Sequence, residues 1–399
     1  MVTILKGNII SSDKLGQISI YEKSFLVGED GVIVGIYKSL PKKYSKYKYI
    51  DYKNDLVIQS FSDMHIHAPQ YAMLGMGMDL QLLDWLNTYT FPTEREFKDP
   101  KLARKIYKDL AKQLISNGTT RVCMFSSLHT DSTIVLMEEL EKVGISGYVG
   151  KVNMDRNGAP GLEETTEESI KETNRWLKEC KKFKLIKPII TPRFIPSCTD
   201  KLMEELGNIV NKNNLPIQSH LSENLGEIAW VKELHPECEE YWDAYAKYNM
   251  WNNKTLMAHC VHSSTRERKA IKDAGVYVVH CPSSNEDLTS GYAQIRKMLN
   301  EGINVVIGSD VAGGDHLSMF DNVAATIRAS KARNIIDNYK TPFLTVEEAF
   351  YLATSAANKF FDEKPGLAKG NKLDVIVIND DKLPRVRKLS IKERFESLR

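Results

Sequence analysis

The sequence predicts an α/β protein, a (β/α)8 barrel of the TIM type with a small β-sandwich domain formed from both chain ends. Three observations predict it. Short apolar runs alternate with amphipathic stretches from residue 58 onward over roughly 250 residues, the length such a barrel needs. Nearly every one of those runs ends in a polar side chain capable of chemistry. Alternating β-type patterning occupies residues 1–57 and returns over 365–399, which leaves 58–364 for the barrel.

The first 57 residues carry TILKG, QISIYEKSFLVGEDGVIVGIY and YKYIDY, with Glu29-Asp30-Gly31 as a hairpin turn between two apolar runs. The basic and aromatic stretch Lys42–Tyr49 reads as a solvated loop or strand of a lysine-rich protein. Candidate barrel strands follow at 56–67, 119–127, 147–154, 186–195, 216–222, 254–260, 276–281 and 303–310. Between them lie helical patterns such as KLARKIYKDLAKQLI, ESIKETNRWLKECKKF and DKLMEELGNIVNKN. A doubly wound open sheet is disfavoured, because no GxGxxG or GxxxxGK turn follows the first strand. A last helix is expected at 345–361, before GLAKGNKLDVIVIND returns to β character.

Composition narrows the function. Basic and acidic side chains nearly balance at +2 over 399 residues, which argues against a nucleic-acid or membrane surface as partner. No apolar run reaches membrane-spanning length, and the N-terminus lacks the pattern of a secretion signal. The six cysteines contain no CxxC pair, so reduced thiols in a cytoplasmic enzyme are expected.

The strand ends carry the chemistry. His65-Ile66-His67 places two imidazoles on one face of an extended segment, able to bite one metal ion. Alone this pattern is weak, since histidines often sit in cores. His220 at the end of the fifth strand and Asp310 at the eighth complete a set of three imidazoles and a carboxylate, suited to Zn²⁺ or Fe²⁺. Arg193 and His259 end the fourth and sixth strands. Glu223 follows His220 closely and can shuttle protons, although spacing alone fits a charge at the start of a helix equally well.

Around these residues lie HIHAPQY (65–71), NMDRNGAPGLEETTEESI (153–170), TPRFIPSCT (191–199), SHLSEN (219–224) and GSDVAGG (308–314). Together they resemble the guanine deaminases of the amidohydrolase superfamily, and MDLQLLDWLNTYTFPTE (78–94) resembles that family's cap over the purine pocket. The resemblance implies one Zn²⁺ held by His65, His67, His220 and Asp310, with Fe²⁺ as the other candidate. It implies catalytic roles for Glu223 as proton shuttle, His259 as stabiliser and Asp310 as proton acceptor, and a homodimer. Substrate contacts would come from His67, Ala68, Pro69, Gln70, Arg193, Phe194 and Glu223; Trp85 reads either as a ring stacked on the base or as core packing of the barrel. Arg193, a donor only, suits the carbonyl at position 6 of guanine and not the amine of adenine; a salt bridge at the barrel rim is its other reading. Two departures are visible: Gln59-Ser60 stands where the superfamily usually has Pro-Gly, and Asp315-His316-Leu317-Ser318 follows GSDVAGG. Strand four ends in Arg193-Phe194 with Lys187 near its start, so the bridging lysine of two-metal relatives is missing. The expected activity is hydrolytic deamination of guanine. The alternatives are a single-metal deaminase of a pterin, triazine or modified purine, or a barrel that serves as a metal-free scaffold.

Overall fold

A computed structural model describes residues 1–398 and resolves two compact units, Met1–Ser62 with the segment from Leu344 onward, and Asp63–Phe343. The division falls at 62/63 and 343/344 instead of 57/58 and 364/365. The first unit is built on one five-stranded sheet, in the order Val375–Ile378, Ile50–Gln59, Val2–Lys14, Gln17–Glu29, Val32–Tyr37. This is the small β domain expected from both chain ends. The two 13-residue strands carry register shifts that bend them. Apolar clusters form on alternate residues, Leu5, Ile9, Leu26, Ile33 and Val57 in one and Ile4, Val27 and Tyr44 in the other. At the hairpin, Asp30 and Gly31 both adopt positive φ, 50° and 77°, as a tight two-residue turn requires.

The helix expected over 345–361 is two pieces, Val346–Ala353 and 3₁₀ turns over Ser355–Phe361. It breaks at Thr354, whose hydroxyl donates to the Phe350 carbonyl at 2.7 Å. It also belongs to the first unit and not to the barrel: Ser355 Oγ donates to Ser12 O at 2.5 Å and accepts from Gln59 Nε2 at 2.8 Å, which pins it to the sheet.

The second unit holds the barrel. Its strands are β1 (Phe61–His67), β2 (Thr119–Phe125), β3 (Ser146–Gly150), β4 (Ile186–Pro188), β5 (Ile217–Leu221), β6 (Thr255–His259), β7 (Tyr277–His280) and β8 (Asn304–Ile307). The pairs β2–β3, β3–β4, β5–β6, β6–β7 and β7–β8 are parallel. Ile190 N donates to Pro216 O at 2.9 Å and Gln218 N to Ile190 O at 3.0 Å, joining β4 to β5. The ring closes where Asp310 N donates to His65 O at 2.8 Å and His67 N to Val311 O at 3.1 Å. Helices between the strands begin at side-chain caps, for example Asp99 before Pro100–Ser116 and a Thr165/Glu168 capping box before Thr166–Glu179. After β1 the chain runs through 3₁₀ turns (Ala68–Met73), then Leu82–Trp85, a π turn over Leu86–Thr90 and Phe91–Glu96. No helix among the described residues is long and apolar enough to cross a membrane.

Candidate active site

The C-terminal ends of the strands bring the expected polar residues together. His65 and His67 alternate on β1 with Ile66 turned away, and all three are buried. His65 Nε2 lies 3.1 Å and His67 Nε2 3.5 Å from Asp310 Oδ1. His67 Nε2 and His220 Nε2 face each other at 3.2 Å. His220 Nδ1 donates to the Arg193 carbonyl at 2.6 Å, which fixes the tautomer and turns the Nε2 lone pair inward. Burial, above the effect of neighbouring charges, holds His67 and His220 well below the ordinary imidazole pKa, so both are neutral. Burial would raise the Asp310 pKa, but His65, followed by His259 and His67, holds it far below the usual carboxylate range. Three imidazoles and an ionised carboxylate converge here, a donor set that fits a divalent cation.

Glu223 sits just beyond β5, buried. Burial and then the Asp310 charge push its carboxyl up to about 8, against a hydrogen bond from Ser290 Oγ at 3.3 Å. His259 Nε2 lies 3.5 Å from Glu223 Oε2 and 3.7 Å from Asp310 Oδ2, and its Nδ1 meets Asn285 Oδ1 at 2.9 Å. The backbone here is strained: Ser222, His259, Cys260 and Asp310 all take positive φ, from 49° to 74°. Each such residue costs on the order of 1–3 kcal/mol and persists where a site demands it.

A cavity opens over these groups. His67, His220, Glu223, His259 and Asp310 line it together with Gln70, Trp85, Arg193 and Phe194. Arg193 is ion-paired, Nη1 to Glu94 Oε2 at 2.5 Å and Nη2 to Glu94 Oε1 at 3.1 Å, so its salt-bridge reading is realised inside the pocket wall. Gln70 Nε2 donates to Glu94 Oε1 at 2.8 Å, and its Oε1 accepts from Ala312 N at 3.2 Å. Phe194 meets Trp230 edge-on with centroids 6.0 Å apart, and the Trp85 indole N–H donates to Met76 O at 2.9 Å. Ala68 and Pro69 are buried in the turn after β1 and do not line the cavity. Lys187 is exposed.

Sequence reasoning missed several members of this site. Glu227, buried in the cavity wall, accepts the Glu223 and Asn224 amides at 3.0 and 3.3 Å and the Tyr241 hydroxyl at 2.7 Å. Burial and then the Glu223 charge raise its carboxyl to about 7. Asn285, Ser290 and the apolar wall Leu288 were also unforeseen, while Glu94, Leu82 and Leu86 lie in the 78–94 segment that resembled a cap without having been singled out. Glu227 had a signal of its own, the Asn224-x-x-Glu227 spacing of a capping box.

Comparison with known proteins agrees with this geometry. Residues 56–395 match the amidohydrolase family. The chain is 40% identical over 378 residues to the guanine deaminase of Dictyostelium discoideum, covering 90% of this chain and 84% of that one. Against the guanine deaminase of Mus musculus it is 43% identical over 323 residues, 79% of this chain and 71% of that one. Among solved structures, the guanine deaminase of C. acetobutylicum with guanine bound in its active site is 45% identical, with a TM-score of 0.97 over 99% of this chain and 95% of that chain.

Proposed function

The chain belongs to the amidohydrolase family, among its guanine deaminases, and from that premise we propose that it hydrolyses guanine to xanthine and ammonia in the cavity over β1, β5 and β8. One observation carries the reading: three imidazoles and a carboxylate converge at the strand ends, beside a cavity lined by a buried glutamate and by the donors Arg193 and Gln70.

His65, His67, His220 and Asp310 would hold one cation, zinc being the best match to three nitrogens and one oxygen. When bound, such a cation lowers the pKa of water from ~15.7 toward ~7 and so supplies a nucleophile at neutral pH. The rest falls to the chain. Arg193 and Gln70 hold the pyrimidine edge, Arg193 donating to the 6-carbonyl. Phe194 and Trp85 flank the ring. Asp310, held ionised, accepts a hydrogen bond from the attacking water, and Glu223 in its ionised form takes up the proton released as water adds at C2 and delivers it to ring N3. His259, held through Nδ1 by Asn285, stabilises the oxygen that develops at C2. The proton of the hydroxyl now on C2 then passes through Glu223 to the amine, the C2–N bond breaks as C2=O forms, and ammonia leaves. The balance is guanine plus water to xanthine plus ammonia.

The test is ammonia release and xanthine formation from guanine by zinc-loaded protein, with adenine alongside and metal content measured. Guanine should turn over with about one metal per chain, and adenine, which carries no amine at C2, should release no ammonia. A metal-filled protein inert toward guanine overturns the reading in favour of another aminated ring.

A further inference from the structure

Arg193 and Gln70 share one partner that is neither a strand-end residue nor a metal donor. Glu94, only 2% exposed, lies at the end of the segment that follows β1, on Phe91–Glu96. Its Oε2 accepts from Arg193 Nη1, and its Oε1 accepts from both Arg193 Nη2 and Gln70 Nε2. Arg193 also stacks over Phe91, 5.1 Å from the ring centroid, so the same short helix grips it from a second side.

The arrangement fixes more than position. A carboxylate only accepts, so the Gln70 atom facing Glu94 must be the NH₂ group; a backbone amide only donates, so the atom facing Ala312 N must be the oxygen. The sense of the Gln70 amide is thus dictated from both ends. Arg193 spends one N–H from each terminal nitrogen on Glu94, leaving Nε–H and the remaining N–H groups for the ligand. The wall that results has a donor-only group beside an amide whose free donor and free acceptor are locked in place.

We propose that Glu94 is the specificity-determining positioning residue of this site: by holding Arg193 and Gln70 in one fixed orientation, it makes the pocket select a ring edge with a carbonyl beside an N–H over one with an amine beside a bare nitrogen. The inference rests on the guanine reading above and deepens it. Glu94 does not touch the reacting carbon. It acts through the two groups that hold the ring, so its loss falls on recognition and not on the chemical step.

The experiment compares guanine with 2,6-diaminopurine, which differs only at position 6 and its neighbouring ring nitrogen, in wild type, Glu94→Gln and Glu94→Asp, with metal content and melting followed in each. Glu94→Gln should raise KM for guanine about tenfold or more with a smaller change in kcat, and narrow the guanine to 2,6-diaminopurine ratio of kcat/KM by about tenfold. Glu94→Asp keeps the charge but is too short to hold both partners, and should narrow the ratio less. A merely structural Glu94 would lower both substrates together and leave the ratio unchanged, which would overturn the inference. If Glu94→Gln does not fold, an unchanged ratio in Glu94→Asp overturns it equally. Wild type inert toward guanine would remove the guanine reading and this inference with it. Wild type active, with selectivity intact in the variants, would remove this inference alone.

Discussion

Burial leaves Glu223 few partners, the Ser290 hydroxyl on one oxygen and His259 3.5 Å from the other. Asp310, two charges' reach away, is pulled in the opposite sense by the imidazoles around it. Two carboxyls in one cavity are therefore pushed apart, one held ionised and one poised near neutrality, which is how a site acquires both an anchor for positive charge and a group that gains and loses a proton. Glu223→Gln preserves size and hydrogen bonding but cannot take a proton. The expected result is a fall in kcat of about 10²–10⁴ with metal content unchanged, since the proposed donors are other residues. Near-wild-type turnover in this variant would take Glu223 out of the mechanism.

At the scale of elements, the donors depend on two strands passing very close. An added Cβ at Gly308 would sit 2.6 Å from His65 Cβ and 2.8 Å from His65 N, closer than atoms can pack. Gly308 N donates to His280 O at 3.0 Å, so the segment cannot simply swing away. Gly308→Ala should displace the His65 and Asp310 backbones together and weaken cation affinity by ~10–100-fold, read by competition with a chelating dye on folded protein. Unchanged affinity would show that the closure between β1 and β8 is soft. The same scale explains what was legible in the sequence. Strand ends could be read because alternation and turn residues are local signals, and His65, His67, His220, His259 and Asp310 each end an apolar run. Glu94 could not be read: it lies among charged neighbours in TERE, as a surface helix would, and its partner Arg193 is 99 residues on. Asn285 likewise opens toward His259 across 26 residues from what looks like an ordinary helix start. The break at Thr354 was hidden because a threonine's own hydroxyl, not a glycine or proline, ends the helix there.

At the scale of the whole molecule, every proposed site residue lies within Asp63–Phe343, as do all five tryptophans, Trp85, Trp176, Trp230, Trp242 and Trp251. The first unit has its own apolar clusters and its own buried ion pair. Arg394 donates to Asp380 through Nη2 at 2.5 Å and Nε at 3.0 Å, and to Asn54 O at 2.7 Å, tying the last helix, Ile391–Glu396, to the sheet. Burial would raise the Asp380 pKa, but the Arg394 hydrogen bonds outweigh it and hold the carboxyl below its ordinary value. A carboxyl depressed in the folded state binds fewer protons there than when unfolded. Its contribution is complete above the unfolded pKa of about 3.9 and drains away as pH falls through the lower folded value. Asp380→Asn strands a buried guanidinium, a loss of about 3 kcal/mol or more. Hydrogen exchange over Val2–Lys14, Ile50–Gln59 and Ile391–Glu396 should accelerate at pH 7, and the variant should be less sensitive than wild type to acid below about pH 4. Tryptophan emission and kcat at neutral pH should stay at wild-type values, because neither reporter belongs to the unit being weakened. Exchange that rises equally in both units would show that the small sheet and the barrel unfold as a single cooperative body, and that the C-terminal ion pair stabilises the active site as directly as the sheet it sits on.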